Sequence, residues 1–219
     1  MTSLRIFLVR HGETDANREK IMQGQLDTPL NDTGLQQARL VAQRLQSVQF
    51  DIAYTSDLQR AVKTAETIVS DQQGLDLVKC KELRERFMGN IQGEKYTRWI
   101  GRMLKIDSTV EAGASFLDRM SGWWNREIMG LATSLAPKED ESAYNILVIS
   151  HGGVIGTLVR SLIREQVISC GTGVMVVNCP NTCISIVEMG GNGRGVLVKY
   201  GDDSHLDGTG LKENVDEVR

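Results

Sequence analysis

Leu4-Arg5-Ile6-Phe7-Leu8-Val9-Arg10-His11-Gly12 is the stretch on which the reading of the whole chain turns. From Leu4 to Val9 it is almost continuously apolar, where a strand with one wet face would alternate with polar residues. Cut off by Arg10 and a glycine-bearing polar segment, it predicts a strand buried on both faces of a parallel sheet. The pattern returns at Ile146-Leu147-Val148-Ile149, followed by Ser150-His151-Gly152-Gly153.

Helical spacing fills the intervals. Leu35, Ala38, Ala42, Leu45 and Val48 recur as one face behind the capping candidates Asn31, Asp32 and Thr33. Leu58, Ala61, Val62, Ala65, Ile68 and Val69 form a second face, with Ser56 as the expected N-cap and Arg60 in the first turns. Residues 115–135 predict a long helix with Leu117, Met120, Trp124, Ile128, Leu131 and Leu135 on one side, and Trp123 and Trp124 read as packing. Residues 153–163 predict another. Further strands are expected over 50–55, 75–80, 174–177, 183–187 and 196–200, and 83–93 reads as loop. The alternation predicts an α/β three-layer sandwich, its mostly parallel central sheet covered by helices on both faces. With no linker or repeat, one domain is expected over 1–207, followed by a polar tail over 208–219.

The 219 residues suffice for one buried core, and 41% hydrophobic with 24% charged residues is ordinary globular composition. A net charge of −3 provides no basic field for nucleic acid or an anionic membrane, so an anionic ligand must be caught locally. The amino terminus does not read as a signal peptide, and no apolar run approaches a membrane span, so a cytoplasmic location is expected. The four cysteines, Cys80, Cys170, Cys179 and Cys183, lack the spacing of a disulfide scaffold or a zinc cage and are expected as free thiols. Nothing in the sequence reads out the oligomeric state.

Two of the three histidines end matching strands. Ligands of open α/β sheets bind at the carboxyl ends of strands, so His11 and His151 can converge on one site although far apart in sequence. The glycines beside them let backbone N–H groups approach an oxyanion, and Arg10 offers a guanidinium that matches phosphate bidentately.

These residues resemble the histidine phosphatase superfamily, which also includes the cofactor-dependent phosphoglycerate mutases. Arg10-His11-Gly12, with Glu13, Thr14 and Asn17, is similar to the family's opening signature. The resemblance continues through Gln23-Gly24, Asp27, Pro29-Leu30 and Thr33-Gly34, then Ser56-Asp57-Leu58-Gln59-Arg60 with Thr64. It resumes at Leu83-Arg84-Glu85-Arg86 with Gly89 and Gly93, and closes at Ser150-His151-Gly152-Gly153.

The resemblance implies that His11 is a nucleophile forming a phosphohistidine, with Arg10, Arg60 and His151 around the transferring group. It implies Glu85 as proton donor and acceptor, where the residues alone suggest a surface pair with Arg84 or Arg86. It implies that Asn17, Gln23, Gly24 and Gly152 contact or border the substrate. It also implies His205 beside the pocket, as an expected substrate contact. No cofactor and no metal are implied, because arginines and histidines supply the positive charge.

The expected partner is a small phosphorylated metabolite. Mutases of the family carry a basic, proline-rich insert in mid-chain; with three prolines and no such insert between residues 93 and 115, hydrolysis is favoured over phosphoryl relocation. The chain is similar to fructose-2,6-bisphosphatase-like and broad-specificity sugar-phosphate phosphatases. Two departures touch specificity: Ala114 stands where an acid is common, and Met88 where a tyrosine is frequent. A noncatalytic binder of phosphorylated ligands is the remaining alternative.

Overall fold

In the computed structural model, which describes residues 2–103, 106–140 and 142–212, seven strands form one sheet. They are β1 (Leu4–Arg10), β2 (Ile52–Ser56), β3 (Leu77–Cys80), β4 (Tyr144–Ser150), β5 (Ile168–Cys170), β6 (Ile184–Met189) and β7 (Gly195–Asp202), in the order β3-β2-β4-β1-β6-β7-β5. Pairing is parallel from β3 through β2 and β4 to β1, and again between β7 and β5; β6 runs antiparallel to both β1 and β7. The helices are α1 (Asp15–Arg18), α2 (Asp32–Leu45), α3 (Gln59–Val69), α4 (Arg98–Met103), α5 (Gly113–Trp123), α6 (Gly130–Ser134) and α7 (Gly152–Arg164).

The continuous apolar runs of β1 and β4 are explained by two cores. Ile6, Leu8, Ile146 and Val148 pack with α5 and α7 through Phe116, Met120, Trp123, Val154, Ile155 and Leu158. The alternate residues Phe7, Val9, Leu147 and Ile149 pack with Val41 and Leu45 of α2 and Ala61, Ala65 and Ile68 of α3. Burial of such side chains contributes roughly 1.5–3 kcal/mol each, so a polar residue at either parity would be costly. Asn31 caps α2, its side chain accepting from Gly34 N. Among the described residues no helix is long and apolar enough to cross a membrane.

Several expectations need correction. The long helix over 115–135 is broken by a π turn, Trp124–Met129, which lies between α5 and α6. Phe116 is buried more deeply than Leu117, and the phase shift at the turn lets the consecutive Trp123 and Trp124 both be fully buried. No strand forms over 174–177: Met175 and Val177 are exposed, and the edge strand is β5 instead. Ser56 does not cap α3, whose N-cap is Leu58. The 83–93 loop contains a 3₁₀ turn, Gly89–Ile91, and beyond it α4 forms in a stretch for which no element was expected. Of the polar tail, residues 208–212 are described, and Leu211 is tied to α2 by a bond from Gln37 Nε2 to its carbonyl at 2.9 Å; residues 213–219 lie outside the described residues.

Candidate active site

Register alone brings the two histidines together. Arg10 of β1 is paired with Ser150 of β4, and His11 N donates to Ser150 O at 3.0 Å, so His11 and His151 leave adjacent parallel strands side by side. Their ring centroids are 5.0 Å apart. The connection after β1 leads through α2 over one face of the sheet to β2, and the one after β4 through α7 over the other face to β5. Strands that part in this way leave a crevice at their carboxyl ends.

The turn after β1 lies flat against the start of α2. A Cβ on Gly12 would come within 2.6 Å of Gly34 O, and one on Gly34 within 2.0 Å of Glu13 O, so neither position accepts a side chain without moving backbone. Gly12 N donates to Thr64 Oγ1 at 3.1 Å, which ties the turn to α3 as well. Behind His11, its carbonyl accepts from Asn181 Nδ2 at 2.8 Å and from Thr182 N at 3.3 Å. The nucleophile candidate is therefore held at its backbone from both sides.

The two imidazoles have different partners. His11 Nδ1 lies 2.7 Å from Gly12 O; a carbonyl can only accept, so the ring proton sits on Nδ1 and the Nε2 lone pair is left bare. His151 Nε2 lies 2.9 Å from Ser56 Oγ. Ser56 Oγ also accepts from Leu58 N at 3.4 Å and keeps a second lone pair and a proton, so it can pair with either tautomer of His151. His151 Nδ1 is a buried atom with no hydrogen-bond partner among the described residues. One ring offers a lone pair and its neighbour a nitrogen that no protein group satisfies.

Both rings are kept neutral. Burial pushes the pKa of His11 well below the usual imidazole value, and the Arg60 and Arg10 guanidiniums push it the same way. His151 is lowered by burial and then by Arg60. His205 is lowered as well, mainly by burial. The unfolded chain would take up protons near pH 6.5 that these native rings refuse. Stability is thus fully present above that pH and is lost as pH falls below it. In anion-free buffer, urea unfolding should show stability falling between pH 7 and pH 5.5, by up to about 1.4 kcal/mol per pH unit for each ring. A flat profile would show that the histidines titrate freely in the fold.

Arg10 and Arg60 are 5% and 1% exposed. Arg10 Nη1 donates to Cys179 O at 2.8 Å. Arg60, in the first turn of α3, donates from Nη2 to Gly24 O at 2.9 Å and from Nη1 to Leu26 O at 2.7 Å. Gly24 has φ +50, a conformation that glycine adopts without steric penalty. A Cβ on Gly152 would sit 3.4 Å from Arg10 Nε, so this glycine lies directly against the Arg10 guanidinium.

Glu85 is not in a surface pair with Arg84 or Arg86. Arg84 forks onto Asp57 at 2.6 and 2.8 Å, and the Arg86 guanidinium donates to Glu111 O. Both Glu85 oxygens accept backbone N–H groups instead, Oε1 from Arg86 at 2.8 Å and Oε2 from Gly153 in the first turn of α7 at 2.9 Å. Arg119 of α5 clamps the segment carrying it, donating to Glu82 O at 2.5 Å and Arg84 O at 2.9 Å, while paired with Glu111 at 2.9 Å.

The remaining expected residues are more loosely grouped. Asn17 closes a capping box with Thr14 on α1, and Gln23 Oε1 lies 2.9 Å from Thr14 Oγ1. His205 Nε2 is 3.1 Å from Thr182 Oγ1, which places it behind the His11 turn, not against the two histidine rings. Met88 packs in a satellite cluster with Met22, Ile91 and Val110, and Ala114 is exposed at the start of α5. Ser56, Thr64, Asn181 and Arg119 were missed as site residues. Ser56 could have been found as the residue that ends β2, as Ser150 ends β4, and Thr64 from its place in the motif around Arg60; Asn181 and Arg119 act through long-range bonds with no local signature.

The profile of the histidine phosphatase superfamily (branch 1) matches residues 6–203. A phosphoglycerate mutase-like protein 4 from Arabidopsis thaliana is 31% identical over 95% of this chain and 90% of its own length. A broad-specificity phosphatase from Saccharomyces cerevisiae is 32% identical over 80% of this chain and 79% of its own. Among solved structures, a phosphoglycerate mutase from Bacillus anthracis str. Sterne shares the fold with a TM-score of 0.75 at 24% identity, covering 97% of this chain and 98% of that one.

Proposed function

The chain belongs to the histidine phosphatase superfamily, and from that premise we propose that it is a phosphatase hydrolysing phosphomonoesters of small metabolites, sugar phosphates or bisphosphates, through a phosphohistidine on His11. The observation that carries this reading is the bare Nε2 lone pair on His11 beside the buried, unpartnered Nδ1 of His151. The first suits attack on phosphorus, and the second, when protonated, suits an equatorial phosphoryl oxygen.

In the first step the His11 Nε2–P bond forms as the P–O bond to the leaving alcohol breaks, and Glu85 gives that oxygen its proton. In the second, Glu85 takes a proton from water as its oxygen attacks phosphorus and the N–P bond breaks. Arg10, Arg60, His151 and Asn17 hold the phosphoryl oxygens, and phosphoryl transfer depends mainly on such positioning and charge. Gln23 and Gly24 border the substrate.

Leaving-group chemistry tests the assignment of Glu85. Glu85→Gln is expected to lose about 10²-fold in kcat/KM, which reports the phosphorylation of His11 alone, on an alkyl phosphate, whose leaving oxygen needs a proton. On a nitrophenyl phosphate, whose leaving group departs as an anion, the loss should be far smaller. Equal losses on both substrates would remove Glu85 from the proton-transfer role. The second reading, relocation of the phosphoryl group, is favoured by the mutase-like name of the Arabidopsis relative. Screening phosphorylated metabolites for released phosphate against positional isomers separates the two.

A further inference from the structure

Cys179 and Cys183 bracket the tripeptide Pro180-Asn181-Thr182, directly behind the His11 turn. Both are free thiols, and their sulfurs are 3.3 Å apart. We propose that this pair is an oxidation site, at which a peroxide forms a Cys179–Cys183 disulfide that reversibly slows the chemistry at His11. The effect on rate rests on the phosphatase reading above; the formation of the bond does not.

Two thiols this close have already met the entropic cost of approach. Cys179 is half-buried and Cys183 fully buried, so the peroxide reaches Cys179 first. The bond from Cys183 holds the Cys179 thiol below its ordinary range, and the neighbouring Arg10 adds to the effect, which favours the nucleophilic thiolate. Burial raises Cys183, which therefore keeps its proton. Glu85, Arg160 and Tyr200 also face the pair; Arg160 favours the Cys179 thiolate and Glu85 opposes it.

The thiolate of Cys179 attacks one peroxide oxygen, the S–O bond forming as O–O breaks, to give a sulfenic acid and, after protonation, one water. The Cys183 sulfur then attacks the Cys179 sulfur, and the displaced hydroxide leaves as a second water with the Cys183 proton. Two thiols lose two electrons and hydrogen peroxide is reduced to two waters.

The consequence for the site follows from what the bracketed residues hold. Cys179 O accepts from Arg10 at 2.8 Å, and Asn181 and Thr182 hold the His11 carbonyl. Closing the sulfurs to the roughly 2.05 Å of a disulfide requires movement of about an ångström. The segment has little slack to absorb it, since Pro180 has a fixed φ and Thr182 already stands at φ +56. A displacement of that size at reacting groups can cost on the order of 10² in rate.

The test uses the full chain carrying Cys170→Ser, because Cys170 is exposed and shares the tryptic peptide between Arg164 and Arg194. After hydrogen peroxide treatment, mass spectrometry should find that peptide two hydrogens lighter. Turnover should fall at least tenfold and return with dithiothreitol. Cys179→Ser and Cys183→Ala should each keep peroxide-treated activity near its untreated level. Free thiols after treatment, or a complete disulfide with unchanged turnover, would overturn the proposal. Equal inactivation of both variants would do so too, by locating the damage elsewhere. A chain that forms the disulfide yet hydrolyses no phosphomonoester in either state would instead refute the phosphatase reading.

Discussion

His11→Ala is expected to lose phosphate release from an aryl phosphate by on the order of 10⁴-fold or more, while the fold survives. The ring is 3% exposed and anchored through its backbone to Ser150 and Asn181, so removing the imidazole leaves the turn itself in place. What disappears is the Nε2 lone pair, and with it the intermediate that divides the displacement into two steps. Rapid acid-free quenching of the unmodified protein with labelled substrate should trap a base-stable, acid-labile phosphoryl group, absent from the variant. Turnover by His11→Ala within tenfold of the unmodified protein would refute covalent catalysis at this residue.

Arg60→Ala should reduce kcat/KM by about 10³-fold, at the upper end of what loss of one preorganised charge donor costs. The guanidinium is almost fully buried and among the causes that keep both histidines neutral. It also satisfies Gly24 O and Leu26 O, so its loss leaves two carbonyls without their donor at about 1–3 kcal/mol each if they stay dry. Activity and stability therefore have to be read separately. Binding of vanadate, measured at a temperature where the variant is folded, should weaken at least tenfold. Arg60→Lys, which keeps the charge without the fork, should fall between the two. Unchanged vanadate affinity in a folded Arg60→Ala would make the residue a structural tie only.

The parts of the molecule legible in its sequence are those with a local physical signature. Strands buried on both faces must be apolar at every position, which is why β1 and β4, and with them His11 and His151, stand out. Edge structure has no such constraint. β5 has three residues, two of them exposed, and the valine-rich stretch over 174–177 resembled a strand more than β5 did, although Met175 and Val177 face solvent. The phase of the helix before β4 was misread because a π turn is not encoded in a 3.6-residue period. Site residues were found where a motif gave them a role, and Asn181 and Arg119, whose part is a long-range bond, were missed. Arg119 is sixteen residues beyond Met103 in sequence but acts on Glu82 and Arg84, and nothing near it advertises that.

The satellite cluster of Met22, Ile91 and Val110 stands apart from the two cores that flank the sheet. It joins the segment after Glu85 to the loop whose carbonyls hold Arg60, so the site has two kinds of foundation. The histidines and Arg10 stand on the sheet, while Arg60's partners and the Met88 side hang from loops that pack on one another. Changes on the loop side are therefore expected to leave the backbone that holds His11 undisturbed, provided Met22 keeps its apolar contacts with Ile91 and Val110.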